Sequence, residues 1–233
     1  MIDIQYDMRT DASRRDPDAH SATLRKYHKL LWNKPLPNGK MFALHDNIPG
    51  TYLHHKSDLG EFFLSSDSIV HTYSGWKRTA NIIAQVPKQA REDFLRQACT
   101  IGGYLIFPSN SINGELTINR ARGLDPLICD RIDLTIECIR RFYIGRDSPL
   151  HAALVRYSDF FALFDTFDGY INHFLLHDLV NTNSEVLFSM NFDNFTGPAI
   201  PQNIEEYAIY REKVLAFVAA RNRRIQQYAE SLA

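Results

Sequence analysis

GGYLIFPSNSINGELTINRARGLDPLICDRIDLTIECIRRFY, residues 102–143, carries the change of period that decides the fold. Tyr104–Phe107 is a continuous apolar run closed by Pro108, and it reads as a strand. Asn113-Gly114 is a tight-turn pair, so Glu115–Asn119 reads as a second strand, hairpinned to the first through residues 108–114. From Pro126 the spacing becomes helical, with apolar residues at 128, 132, 136, 139 and 143. Upstream, short apolar segments near 41–45, 51–55, 61–65 and 68–73 are punctuated by Pro49-Gly50 and Gly60, as strands would be. Downstream, helices are expected at about 149–165 behind Ser148-Pro149, at 170–180 after Gly169, and at 204–230 behind Asn203 and Glu206. A strand is expected at 186–190. Three further helices fit 21–33, capped by Ser21 or Asp18, then 77–85 and 88–98. The expected class is α+β: a strand-rich N-terminal half with a mixed or antiparallel sheet packed on a helical C-terminal half, in one domain over 1–233.

The chain has 233 residues, 45% hydrophobic and 23% charged, which is enough to bury a core without disulfides or metals. That composition excludes a disordered regulator and a small stapled scaffold. No apolar run approaches the roughly 20 residues of a membrane span. The opening MIDIQYDMRTDASRRD places acids where a signal peptide needs a basic end, and Cys99, Cys129 and Cys138 show no CxxC spacing. A cytoplasmic location with reduced thiols is therefore expected.

The net charge of −1 conceals local extremes. Residues 19–45 hold Arg25, Lys26, Lys29, Lys34 and Lys40 and no acid, hence +5. Residues 119–146 hold six arginines against four acids, hence +2, and residues 147–207 hold nine acids against Arg156, hence −8. Basic segments meeting in space would receive a polyanion in spite of the neutral total.

Two stretches carry that reading. In RKYHKLLWNK, residues 25–34, Arg25 and Lys29 share a helix face for phosphates while Tyr27 and Trp32 offer rings for bases; the alternative is an amphipathic helix with those rings in the core. In NRARG, residues 119–123, Arg120 and Arg122 at a strand end form a fork for phosphate or carboxylate, with Gly123 allowing close backbone approach; the alternative is a basic turn paired with nearby acids. Asp130, Asp133 and Glu137 could bind a divalent metal or act as acid and base, yet Arg140 and Arg141 follow at ion-pairing spacing. His173 and His177 are spaced for zinc without a third ligand, and His71 lies near Ser65-Ser66-Asp67 without spacing that proves contact. No Walker loop, GxSxG elbow, GxGxxG fingerprint or paired CxxC occurs, so no metal and no cofactor is expected.

TLRKYHKLLWNKPLPNG at 23–39, LSSDSIVHTY at 64–73, TINRARG at 117–123 and DRIDLTIECIRRFY at 130–143 together resemble an uncharacterised bacterial family, a domain of unknown function, over nearly the whole chain. The resemblance implies a single-domain unit and transfers no catalytic residue.

The residues themselves lead to a hydrolase acting on nucleic acid, with a base-excising DNA glycosylase ahead of a nuclease because no metal cluster is evident. In that expectation Asp67 or Asp130 activates water, Asn119 positions it, Arg25, Lys29, Arg120 and Arg122 hold phosphates, and Tyr27 or Trp32 stacks on the base. The alternatives are a non-enzymatic module using the acidic 147–207 face for a protein partner, and an enzyme acting on a small anionic metabolite.

Overall fold

A computed structural model describes residues 1–232. A two-stranded antiparallel ribbon joins β1 (Lys34–Pro35) to β2 (Met41–Phe42). The main sheet has β4 (Gly60–Ser68) at its centre, antiparallel to β3 (Leu53–Ser57) on one side and β5 (Tyr104–Pro108) on the other. Leu53 stands opposite Leu64, and Asp67 stands opposite Leu105. Around the sheet lie α1 (Pro17–His20), α2 (Ala22–Trp32), α3 (Ala80–Ala84), α4 (Lys88–Ala98) and α5 (Ile118–Leu124). The second half is helical: α6 (Ile132–Tyr143), α7 (His151–Arg156), α8 (Ser158–Ala162), α9 (Phe167–His173) and α10 (Ile204–Ser231). The class is α+β.

Caps explain where the best-read helices begin. The Ser21 hydroxyl accepts the Leu24 N–H at 3.0 Å to start α2. At α10 the Asn203 side chain accepts the Glu206 N–H at 2.8 Å, while Glu206 reaches back to the Gln202 N–H at 2.8 Å. Both halves feed one core, in which Leu31, Phe42, Leu64 and Phe107 pack with Phe160, Phe174 and Phe217. All of Tyr104–Pro108 is buried, as a strand covered on both faces must be. Among the described residues no helix is long and apolar enough to cross a membrane.

Several expected elements differ. Residues 115–119 are not a strand: Thr117 stands outside α5, and its hydroxyl accepts the Arg120 N–H at 3.4 Å, so the segment enters a helix and no hairpin forms. The segments at 61–65 and 68–73 resolve into one strand ending at Ser68, and 41–45 pairs at Met41–Phe42 and through a single bridge from His45 to His54. The helix expected from Leu127 starts at Ile132, because Cys129 and Asp130 are left-handed, with φ of +48° and +60°. The helix expected over 149–165 breaks at Tyr157, whose hydroxyl donates to the Asn110 carbonyl at 2.8 Å. The one expected at 170–180 starts earlier, because the Thr166 hydroxyl accepts the Gly169 N–H, and stops at His173 before left-handed Leu175. The strand at 186–190 reduces to a single bridge, Val180 to Val186.

Candidate functional site

Along β4 successive side chains alternate in direction, so Ser66 and Asp67 leave the strand on opposite faces. Each begins a polar network.

On the Ser66 face, the Trp32 indole N–H donates to His28 Nδ1 at 3.0 Å. An indole can only donate, so Nδ1 is the acceptor and the neutral ring carries its proton on Nε2. Nε2 therefore donates to Ser66 Oγ at 3.0 Å, and Ser66 Oγ in turn donates to Asp18 Oδ1 at 3.1 Å. The Ser68 N–H donates to Asp18 Oδ2 at 3.1 Å. Burial drives His28 down to about 3, with the Arg221 charge adding, so the ring stays neutral. Its proton points at Ser66, which makes the ring a donor and not the base of a serine nucleophile.

On the Asp67 face the partner is Arg122, whose side chain is wholly buried. One Arg122 nitrogen bonds Asp67 Oδ2, Nε donates to Thr135 Oγ1 at 2.9 Å, and Nη2 donates to the Asp130 carbonyl at 3.2 Å. Asp130 sits in the left-handed turn before α6, with its carboxylate against Gly123. A Cβ at residue 123 would lie 3.1 Å from Asp130 Oδ2, so the missing side chain makes room for that carboxylate.

His71 faces the same carboxylate. Its Nδ1 accepts the Tyr73 N–H at 2.9 Å, which leaves Nε2 toward Asp130 Oδ2 at 3.9 Å. α10 fixes this loop: the Tyr210 hydroxyl donates to the His71 carbonyl at 2.9 Å and the Tyr207 hydroxyl to the Thr72 carbonyl at 3.0 Å. Tyr73, Cys129 and Asp130 all hold positive φ, so strained backbone lies on both sides of the His71–Asp130 pair.

Burial dominates the electrostatics, and Arg122 bonds only one of the carboxylates, Asp67. Burial pushes Asp67 up to about 7; Arg122 opposes this, and Asp130 and Asp16 add to it. Burial likewise pushes Asp18 up to about 8, with Asp67 and Asp16 contributing. Burial lowers His71, against the pull of Asp130. The Asp67, Asp130 and His71 side chains are 22%, 22% and 27% exposed, so the group meets solvent.

Beyond α1 lies an open depression of about 610 Å³, lined by His20, Arg25, Lys26, Lys29, Asn33 and Asp46 among others. Lys29 is partly neutralised by Asp46 at 2.8 Å. The Arg25 guanidinium lies 4.6 Å from the centre of the Tyr52 ring, and Tyr52 in turn feels the charge of Asp18. The basic depression therefore lies near Asp18, on the Ser66 side of β4.

A family model described as a family of unknown function, DUF6994, matches residues 2–225. The chain belongs to that family. The match is silent on bacterial origin, and no curated protein or solved structure matches the chain.

In this DUF6994 chain the residues singled out from sequence separate into two sets. Asp67, Asp130, Asn119 and Arg122 come together, joined by Asp18 and His71. Asn119 Nδ2 donates to Ser65 Oγ at 3.1 Å, and its Oδ1 is buried without a hydrogen-bond partner. Arg25 and Lys29 line the depression. The proposed Arg120/Arg122 fork does not form, because helical spacing leaves Arg120 exposed while Arg122 is spent on internal partners. Nor are the stacking rings free: Trp32 is wholly buried, edge-on to Phe174, and Tyr27 is enclosed with its hydroxyl accepting the Asp3 N–H. The amphipathic-core alternative describes both rings.

Asp133 and Glu137 stand apart from Asp130. Arg131 grips Asp133 at 3.0 and 2.7 Å while Ser189 donates to it twice, and Glu137 is held by Arg140 and Arg141. Among the described residues no group of three or more His, Cys, Asp or Glu is arranged to hold a metal ion. His173 lies among core aromatic rings and His177 bonds Asn172, so the pair does not converge. In the acidic 147–207 segment, Asp178 pairs with Arg224, Asp193 caps Thr196 and Asp168 accepts from Ser184. The missed residues were Asp18 and Arg122's internal role. The capping Asp16-Pro17 ahead of Asp18 was the only local signal for the former.

Proposed function

We propose that this protein is a hydrolase that cleaves the N-glycosidic bond of a phosphate-bearing nucleoside unit by carboxylate acid–base chemistry. The reading rests on one observation: Asp67 bonds the buried guanidinium of Arg122, which also holds the Asp130 backbone, at a spot where both carboxylates are partly open to solvent. Burial raises both Asp67 and Asp18, and neighbouring carboxylates add to it, so a proton is retained near neutral pH. In this mechanism Asp67 supplies that proton to the leaving base, and Asp130 with His71 orients the attacking water. Arg122 holds Asp67 in place, and the unpartnered Asn119 Oδ1 accepts from the ligand. Arg25, Lys26 and Lys29 take the phosphate.

The depression matches one nucleotide better than a duplex, whose specific contacts cover on the order of 1,000 Å² or more. The enclosed Trp32 and Tyr27 and the internal Arg122 point the same way.

The test is base release, measured chromatographically from nucleoside monophosphates, pyridine dinucleotides, and single- and double-stranded oligonucleotides. Asp67→Asn and Asp130→Asn are expected to lower kcat by at least about 100-fold, the usual worth of a positioned acid or base. Turnover of the oligonucleotides alone would extend the reading to a nucleic-acid glycosylase. Absence of base release from every substrate, or turnover unchanged in both variants, overturns it.

A further inference from the structure

Lys34 is a charged residue in a core-facing position. It opens β1, where Lys34 and Leu36 are buried on either side of exposed Pro35, and it is only 9% exposed. Its ammonium lies 5.3 Å from the centre of the Trp32 ring and 4.7 Å from that of Tyr228, so aromatic faces bound it on two sides. Among the described residues no carboxylate pairs with it.

The neighbouring charge has the same sign. Arg221 from α10 is wholly buried and lies over the same Trp32 ring at 5.8 Å. It is cradled by the carbonyls of Gly102 at 2.9 Å, Tyr104 at 2.7 Å and Phe174 at 3.1 Å, and its Nε has no partner. From α9, His173 is 4% exposed with Nε2 unpartnered, and burial first, then the Lys34 charge, disfavours its protonation. His177, in the turn that follows, feels Lys34 in the same way. The titratable groups around Lys34 are Arg221 and Tyr228 from α10, His173 from α9, and His177; Asp178, whose charge reaches Arg221 and His177, is paired with Arg224.

We propose that Lys34 is a nucleophilic amine that condenses with small neutral carbonyl compounds, a covalent modification site separate from the carboxylate cluster. A lysine gains nucleophilicity when it is desolvated and set beside another cation, and Lys34 meets both conditions. Burial first, then Arg221, brings its amine down to about 8. In the reaction the Nζ lone pair attacks the carbonyl carbon to give a carbinolamine. Loss of water then leaves an imine, the carbonyl oxygen departing with the two amine protons. The sequence involves no redox step. The two rings and the low exposure restrict access to small aldehydes.

The test treats the full-length folded protein with acetaldehyde and cyanoborohydride, which reduces the imine to a stable ethylamine, and maps modified lysines by peptide mass spectrometry from pH 6 to 9. Lys56, whose side chain is 67% exposed, is the internal reference. At pH 7 a lysine titrating near 8 has a free-amine fraction on the order of 100-fold above that of an ordinary lysine. Even with restricted access, Lys34 is expected to label at least about tenfold faster than Lys56, with a half-maximal rate near pH 8. Labelling no faster than Lys56, complete protection of Lys34, or a pH profile matching that of Lys56 overturns the proposal. Replacing Arg221 risks unfolding the chain, so the profile of the unsubstituted protein decides. Base-release activity does not enter this measurement, so its outcome is independent of the hydrolase reading.

Discussion

Gly123 and Asp130 are in close apposition across the turn between α5 and α6: a methyl group on Gly123 would lie 3.1 Å from one carboxylate oxygen and 3.3 Å from the other. The backbone at Gly123 is helical, so alanine is conformationally acceptable there and would by propensity favour the helix. Gly123→Ala therefore acts by displacing the Asp130 side chain by a few tenths of an ångström, away from its approach to His71. The expected outcome is a stability change within about 1 kcal/mol in urea unfolding, with a clear loss of base-release activity. Unaltered turnover would show that the His71–Asp130 geometry does not matter to the chemistry.

Arg120 and Arg122, two residues apart on α5, have opposite environments. Arg122→Ala leaves the Asp67 carboxylate and the Thr135 hydroxyl without their buried donor, and is expected to cost about 3–5 kcal/mol, as broken buried ion pairs do. Arg120→Ala removes an exposed side chain, and should stay within about 0.5 kcal/mol. Denaturant midpoints of the two variants provide the check.

Asp18 gives stability a definite pH dependence. Its folded value near 8 lies above the ordinary 3.8, so between those limits the folded chain binds a proton that the unfolded chain has released. The stabilisation is complete at low pH and is lost as pH rises toward 8, at no more than about 1.4 kcal/mol per pH unit for one proton. Asp67, raised to about 7, adds in the same sense. Buried His28 and the lowered His71 act in the opposite sense as the unfolded histidines release their protons, so the check is a comparison: between pH 6 and pH 8 the melting temperature of the unsubstituted protein is expected to fall relative to that of Asp18→Asn. A difference between the two melting temperatures that stays constant over this range contradicts the raised Asp18 carboxyl.

What the sequence revealed and what it concealed divide along the range of the interactions. The helix at Ala22–Trp32 and the long helix from Ile204 were legible because their caps and apolar spacing lie within a few residues. The segment 115–119 misled because Thr117 caps a helix while its neighbours alternate like a strand. Asp67 and Asp130 could be named as acids. The buried partner of Asp67 could not, since Arg122 meets it across 55 positions and only the packing of α5 against the sheet brings them together. The same non-local packing turned Trp32 from a stacking surface into a core residue, and left only a capping pattern, Asp16-Pro17, to mark Asp18.

Trp32 also sets the tautomer of His28, and this is separable from its packing. Trp32→Phe keeps an aromatic ring near Phe174 but removes the N–H that donates to Nδ1. With His28 wholly buried, Nδ1 becomes an unpaired acceptor, which is expected to cost about 1–3 kcal/mol on top of the smaller ring's lost contacts. Losing that donor also removes the reason for the proton to reside on Nε2, so the bond to Ser66 can reverse and Ser66 can cease to donate to Asp18. Nitrogen-15 spectra of the imidazole are expected to show a single protonated Nε2 in the unsubstituted protein and a mixture of tautomers in the variant. The same variant should raise the pH at which Asp18 titrates, because the Ser66 hydroxyl bond that favours the ionised carboxylate is weakened.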